Sequence, residues 1–214
     1  MRQLTTFILA SVFAGLVSGA ALAQSQWQAG QHYDEITVPV NVGSSDRVVV
    51  TEFFWYGCGH CYAFEPMLAA WEKQLPEGVV LEPSPAIWNP TMAVHARAYY
   101  TAKALGVFET MHPAIFDAMH KGRQRLATES AVRELFVANG VDGTAFDRAY
   151  NSFGVNSQVQ QADSRARAAR ISGTPSMMVA GKFLIETRKA GSQANMLSIV
   201  DSLVAEQLVV QTEQ

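Results

Sequence analysis

The feature that most constrains this chain is an eight-residue run, Val48-Val49-Val50-Thr51-Glu52-Phe53-Phe54-Trp55, followed within three residues by Cys58-Gly59-His60-Cys61. The run is β-branched or aromatic at every position but Glu52, and reads as a central strand buried on both faces. Downstream, Phe64, Leu68, Trp71 and Leu75 are spaced four, three and four apart. That is one face of a helix, and Cys61 lies on it three residues before Phe64. The cysteine pair therefore sits where a buried strand hands over to a helix. Pro66 should kink this helix by removing a backbone donor, and Pro76 with Gly78 should end it. Val79 to Pro85 then returns as a strand, which makes a βαβ unit with a parallel pair.

The rest of the chain divides around that unit. Ser25 to Tyr33 reads as a loosely held arm. Glu35 to Val42 reads as a short edge strand, because Pro39 is tolerable only at an edge. Gly43-Ser44-Ser45-Asp46 is turn chemistry. From Asn89 to Arg170 the patterns are helical. Asn89-Pro90 starts one helix ending near Gly106, Pro113 opens another ending near Gly122, and Thr128 caps a third running to Asn139-Gly140. Thr144 with Asp147 opens a fourth, and Val155 to Arg170 is a fifth. After Gly173-Thr174-Pro175, Met177 to Val179, a turn at Ala180-Gly181-Lys182 and Phe183 to Ile185 read as an antiparallel hairpin. Ser192 to Gln207 closes the chain as an amphipathic helix with Met196, Ile199 and Leu203 inward. The expected class is α/β with an inserted helical subdomain: residues 24–88 and 171–214 form the parent domain and residues 89–170 the insert.

Residues 1–23 do not belong to that fold. Arg2 supplies a positive start, Phe7 to Val17 an apolar stretch, and Ala21-Leu22-Ala23 a small-residue cleavage site, which together read as a signal peptide cut after Ala23. The apolar stretch is shorter than the ~20 residues a membrane span needs. Removal of Arg2 takes 16 basic residues to 15 against 19 acidic, a net of −4. That balance gives no reason to expect nucleic-acid binding. Export leaves both cysteines where disulfides persist. Cysteines three positions apart close too small a loop to staple a fold, so a chemical role is the stronger reading.

A cysteine pair opening a helix has a physical logic. Free backbone N–H groups and the helix dipole favour a thiolate there. Cys58 should be the exposed nucleophile and Cys61, one turn in, should resolve the mixed disulfide. Zinc is the rival, but it needs four ligands, and the chain has no other cysteine and no paired-histidine spacing among His32, His60, His95, His112 and His120. No metal site and no cofactor are expected. His60 can hydrogen-bond to the Cys58 sulfur or place charge near it; the alternative is a solvent spectator. Glu52 interrupts a buried strand six residues before Cys58. It either lies beneath the pair, with a raised pKa, as a proton shuttle for Cys61, or faces water. Pro175, preceded by Gly173-Thr174, suits either a cis bond that leaves backbone groups open to an extended substrate or an ordinary trans turn. Arg165, Arg167 and Arg170 read as a solvated helix face, Met177 and Met178 as core, and Trp55 and Tyr56 as either core or the rim of the site.

With these residues in view, the sequence resembles the DsbA family of thiol oxidases in the thioredoxin superfamily. The likeness runs from Glu52 through Glu65, resumes at Gly173-Thr174-Pro175-Ser176-Met177, and fits the exported start, the helical insert and the closing hairpin and helix. The resemblance implies a thioredoxin-like fold. It implies Cys58 as nucleophile, Cys61 as its partner, Glu52 as the buried acid, Pro175 as a cis-proline beside the disulfide and Thr174 facing the sulfurs. It further implies a periplasmic, monomeric protein that donates its disulfide to reduced exported proteins and is reoxidised by a quinone-linked membrane partner of the DsbB type. One position departs from the best-known members: Gly59 stands where they carry proline, and Gly-His is the dipeptide of protein disulfide isomerase. An isomerase or reductase using the same pair therefore stays open, as does a peptide-binding holdase.

Overall fold

A computed structural model describes residues 26–43 and 46–212. The expected signal peptide, and Ser44 and Ser45 of the expected turn, lie outside the described residues. In chain order the elements are β1 (Asp34–Glu35), β2 (Val48–Phe54), α1 (Gly59–Glu72), β3 (Val79–Pro85), α2 (Pro90–Ala104), α3 (Phe108–His120), α4 (Glu129–Ala138), α5 (Gly143–Tyr150), α6 (Phe153–Ala169), β4 (Ser176–Val179), β5 (Phe183–Glu186), α7 (Thr187–Ala190) and α8 (Gln193–Thr212).

The strands make a single mixed sheet in the order β1-β5-β4-β2-β3. β2 runs parallel to β3 and antiparallel to β4, and every one of its residues is buried, as an uninterrupted apolar run requires. One face of the sheet, through Val48, Val50, Met177, Val179 and Ile185, packs under Phe64, Leu68 and Trp71 of α1 and Met196, Ile199 and Leu203 of α8. The other face, through Phe53, Met178 and Leu184, packs against Ala166 and Ala169 of α6. Truncating a fully buried ring such as Phe64 would cost about 3–5 kcal/mol.

Five helices, α2 to α6, fall between β3 and β4 and enclose a core of their own. Tyr99, Met111, Ile115, Phe116, Phe136 and Phe146 form its centre, and it meets the parent domain at Phe54, Tyr56 and Cys61. This is a thioredoxin-like α/β fold with a helical subdomain inserted. The insert's core thus reaches the back of the cysteine motif itself.

Four local expectations need correction. The edge strand expected over Glu35–Val42 pairs only at Asp34 and Glu35. Beyond them isolated bonds run from Ile36 N to Lys182 O (2.7 Å) and from Val40 N to Gly181 O (2.8 Å). Pro39 between them has no N–H to continue the ladder. The helix expected to open at Pro113 begins at Phe108 and carries Pro113 inside. Burial of Met111, His112, Ile115 and Phe116 on its flank outweighs the one lost hydrogen bond. The cap of α5 is Asp142, which accepts from Ala145 N at 2.8 Å, rather than Thr144. Finally, Arg165 is not merely solvated: its Nη1 donates to the buried Ser84 Oγ at 3.0 Å. Elsewhere Thr128 caps α4 as expected, accepting from Ala131 N, and α1 continues through Pro66.

Candidate active site

Cys58 is the N-cap of α1, with extended backbone at φ −88° and ψ 114°. Its side chain takes the place that Ser, Thr or Asp commonly fills, receiving a backbone N–H that would otherwise lack a partner. That donor is Cys61 N, 3.4 Å from Cys58 Sγ. The two cysteines are not bonded to each other; Cys58 is half-buried and Cys61 fully buried.

The sulfurs are pushed in opposite directions. Hydrogen bonding from the Cys61 side chain, the Thr174 side chain and the backbone N–H groups of Cys61 and His60 lowers Cys58 from its ordinary 9.0 to about 5, against burial, which acts the other way. Burial raises Cys61, and the hydrogen bond to Cys58 and the nearby charge of Glu52 add to it. One sulfur is therefore a stable thiolate at neutral pH and the other a thiol.

The loop before β4 closes the site. The Thr174–Pro175 peptide is cis. The Thr174 carbonyl lies 3.3 Å from Cys58 Sγ and accepts from the thiol when it is protonated. Thr174 and Pro175 thus stand beside the sulfur.

Glu52 sits in the middle of β2, level with Pro83 on β3 and Met177 on β4. It is buried, and neither carboxyl oxygen has a hydrogen-bond partner among the described residues. Burial first, then the charges of Glu65 and Cys58, hold its pKa well above the usual carboxylate range. Of the two readings of Glu52, the water-facing one is excluded. Its carboxyl is electrostatically coupled to both Cys58 and Cys61. His60 is exposed, and its backbone N–H donates to the Cys58 sulfur. Its carbonyl accepts from Gln193 Nε2 at 2.7 Å, which ties the start of α8 to the first turn of α1.

Several supporting residues were not legible beforehand. Tyr56 Oη and His112 Nδ1 are 2.7 Å apart, and His112 Nε2 lies 3.2 Å from Glu65 Oε2. This buried chain joins the strand end, α3 and α1. Trp55 Nε1 donates to His95 Nδ1 at 2.9 Å. Glu65 falls one turn after Cys61 on the same helix face, a spacing that could have drawn attention to it. The histidines lie on remote elements and carry no such local signal. Among the described residues no group of three or more His, Cys, Asp or Glu side chains is placed to hold a metal ion, and no helix is long and apolar enough to cross a membrane.

Comparison with known proteins agrees with this geometry. The DSBA-like thioredoxin domain matches residues 71–195. The thiol:disulfide interchange protein DsbA of Azotobacter vinelandii is 38% identical over 197 residues, covering 92% of each chain. That of Pseudomonas aeruginosa is 36% identical over 186 residues, covering 87% of this chain and 88% of the relative. The crystal structure of Pseudomonas aeruginosa DsbA superposes with a TM-score of 0.83 at 34% identity, over 87% of this chain and 97% of that one. DsbA from Xylella fastidiosa gives 0.79 at 28% identity, over 85% and 98%. With its sheet, its insert and its cysteine pair at the head of α1, the chain belongs to the DSBA-like thioredoxin domain family.

Proposed function

We propose that this chain is a dithiol oxidase that donates the Cys58–Cys61 disulfide to reduced, newly exported proteins. As a member of its family it is a thiol:disulfide oxidoreductase; the direction and the substrates are the proposal. The observation that carries it is the contrast between the two sulfurs. A disulfide whose reduced form holds a stabilised thiolate is easily reduced, and so is an oxidant.

A substrate thiolate attacks Cys58 Sγ, the Cys58–Cys61 bond breaks, and Cys61 leaves with the electron pair. Glu52, whose burial holds its pKa well above the usual carboxylate range, gives its proton to the departing Cys61 sulfur. A second substrate thiol loses its proton, which restores Glu52 through solvent, and attacks the substrate sulfur of the mixed disulfide. Cys58 departs as the stable thiolate. The substrate has lost two electrons and the cysteine pair has gained them. Thr174 and Pro175 flank the mixed disulfide, and the open backbone there suits an extended substrate segment. Return to the disulfide form requires an electron acceptor; a quinone-linked membrane protein of the DsbB type is the chemical class that the family resemblance supports.

The same reading carries the remaining assignments. Residues 1–23 act as a signal peptide cleaved after Ala23, and the protein works as a monomer in the periplasm. The thioredoxin-like domain comprises residues 24–88 and 171–214, and the insert residues 89–170. An equilibrium titration against glutathione tests the direction. Reference potentials are about −120 mV for DsbA, −180 mV for protein disulfide isomerase and −270 mV for thioredoxin. A value between the first two is expected; a value near the last would make the protein a reductase.

A further inference from the structure

Beside the cysteine motif the surface opens into a groove of about 670 Å³ whose lining includes Trp55, Gly57, His95, Met119, Arg123 and Arg125. It begins at Gly57, the neighbour of Cys58. There the indole of Trp55 lies so close that a Cβ on Gly57 would come within 2.3 Å of it. Trp55 and Met119 make an apolar floor, and the lining holds no carboxylate.

The charge of this groove is one-sided in a chain whose net charge is −3. Lys121 is neutralised by Asp117, at 3.0 Å. Arg123 and Arg125 are exposed, and neither has a carboxylate partner among the described residues. His95 adds no positive charge. Its Nδ1 accepts from Trp55, so its proton is on Nε2, which faces the Arg125 carbonyl at 3.1 Å. Burial also favours the neutral ring.

The segment is held in place, not draped. Arg123 (φ 54°) and Leu126 (φ 45°) both adopt left-handed backbone without being glycine. Such conformations are unfavourable and persist only where surrounding structure imposes them. Here Leu126 is buried in the core of the insert, and His95 pins the Arg125 carbonyl to the end of β2. Two guanidinium groups without a carboxylate partner among the described residues are thus presented on a strained, anchored turn, in a groove that reaches Gly57, the neighbour of Cys58.

We propose that this groove is a specificity subsite that takes an acidic side chain of the substrate polypeptide close to its reactive cysteine. The inference rests on the oxidase reading above. Each residue of an extended segment spans about 3.3 Å, so a chain passing Cys58 and Pro175 brings a flanking side chain over Gly57 and Trp55. The apolar floor accepts the side-chain stem, and the guanidinium groups pair with the carboxylate. Substrates with lysine at that place meet like charge instead.

The test compares short peptides containing a cysteine pair, with glutamate or lysine flanking one cysteine at a time. With the disulfide form of the full mature chain at low ionic strength, glutamate peptides should be oxidised about fivefold faster or more than lysine peptides, a ratio that shrinks with salt. Arg123→Gln with Arg125→Gln should bring the ratio to within about twofold, Arg123→Glu with Arg125→Glu should invert it, and Lys121→Gln should leave it in place. A thermal unfolding midpoint shows that each variant is folded. A ratio near one in the unaltered protein, or a ratio that persists without both arginines, overturns the subsite. Calorimetric titration with the same peptides carrying serine for cysteine reads the groove without exchange. Charge-dependent affinity there, with no oxidation of any cysteine peptide, would uphold the subsite and remove the oxidase reading.

Discussion

Acidification should strip stability from the reduced protein while sparing the disulfide form. Cys58 is held at about 5 in the fold against an ordinary 9.0. A group lowered in this way contributes stability that is complete above pH 9 and is lost as pH falls to 5. Between those limits the unfolded chain carries a proton that the folded one lacks, so stability falls by up to ~1.36 kcal/mol per pH unit. At pH 7 two pH units remain above the folded value, which corresponds to ~2.7 kcal/mol before solvent screening. The sulfur is only half-buried, so we take the net gain as on the order of 1.5 kcal/mol. In a two-electron couple this raises the potential by roughly 30 mV. The assay is denaturant unfolding of the reduced and disulfide forms from pH 4 to pH 8, with thiolate ultraviolet absorbance followed in parallel. The difference between the two forms should grow from pH 5 upward, and the absorbance should rise through the same window. A difference that stays flat, with a thiol titrating near pH 8 to 9, would refute the reasoning.

Cys58→Ser should abolish oxidation of a reduced peptide, whereas Cys61→Ser, mixed with a peptide already in its disulfide form, should accumulate mixed disulfides visible on non-reducing gels, because the Cys58 thiolate attacks the peptide disulfide, one peptide thiol departs, and no Cys61 thiol follows to release the other. Glu52→Gln should slow exchange. It should also stabilise the protein by about 1 kcal/mol or more at pH 8 and by little at pH 4, since a carboxyl with a raised pKa destabilises the fold only as pH climbs above its unfolded value; stability and peptide-oxidation rate across that range read both effects. Gly59→Pro should fold and gain about 0.4–1 kcal/mol in denaturant unfolding. Gly59 is the first residue of α1, a Cβ there meets nothing within 4 Å, and Cys58 already has the extended backbone that a following proline demands.

Much of the fold was legible because it rests on local pattern. The apolar run at Val48 is buried throughout, the hairpin at Met177 nearly so, and the return strand at Val79 is buried at its ends. Their strands, β2, β3, β4 and β5, are found within a residue or two of where the pattern puts them. Thr128 announced its helix because capping chemistry is local. What misled was proline. Pro113 looks like a helix start from its neighbours alone, but burial of the α3 face decides the matter from a distance. The site divides in the same way. The cysteines and the odd carboxylate at Glu52 stand out in one dimension. Their supports do not: Trp55 and His95 are 40 residues apart, and Tyr56 and His112 are 56.

The Thr174 carbonyl meets the Cys58 sulfur across 116 residues of chain. Between those two points the whole insert must be threaded and packed. Contacts so remote in sequence form late, because the closure entropy of the long loop is met only when most of the structure is in place. Until then the Cys58 sulfur has at most the donors of its own helix start, and lacks the contact with Thr174 that completes its surroundings. Reactivity in this protein is therefore a certificate of its own maturation: a molecule emerging half-made is a client of the chemistry, and only a completed one becomes its agent.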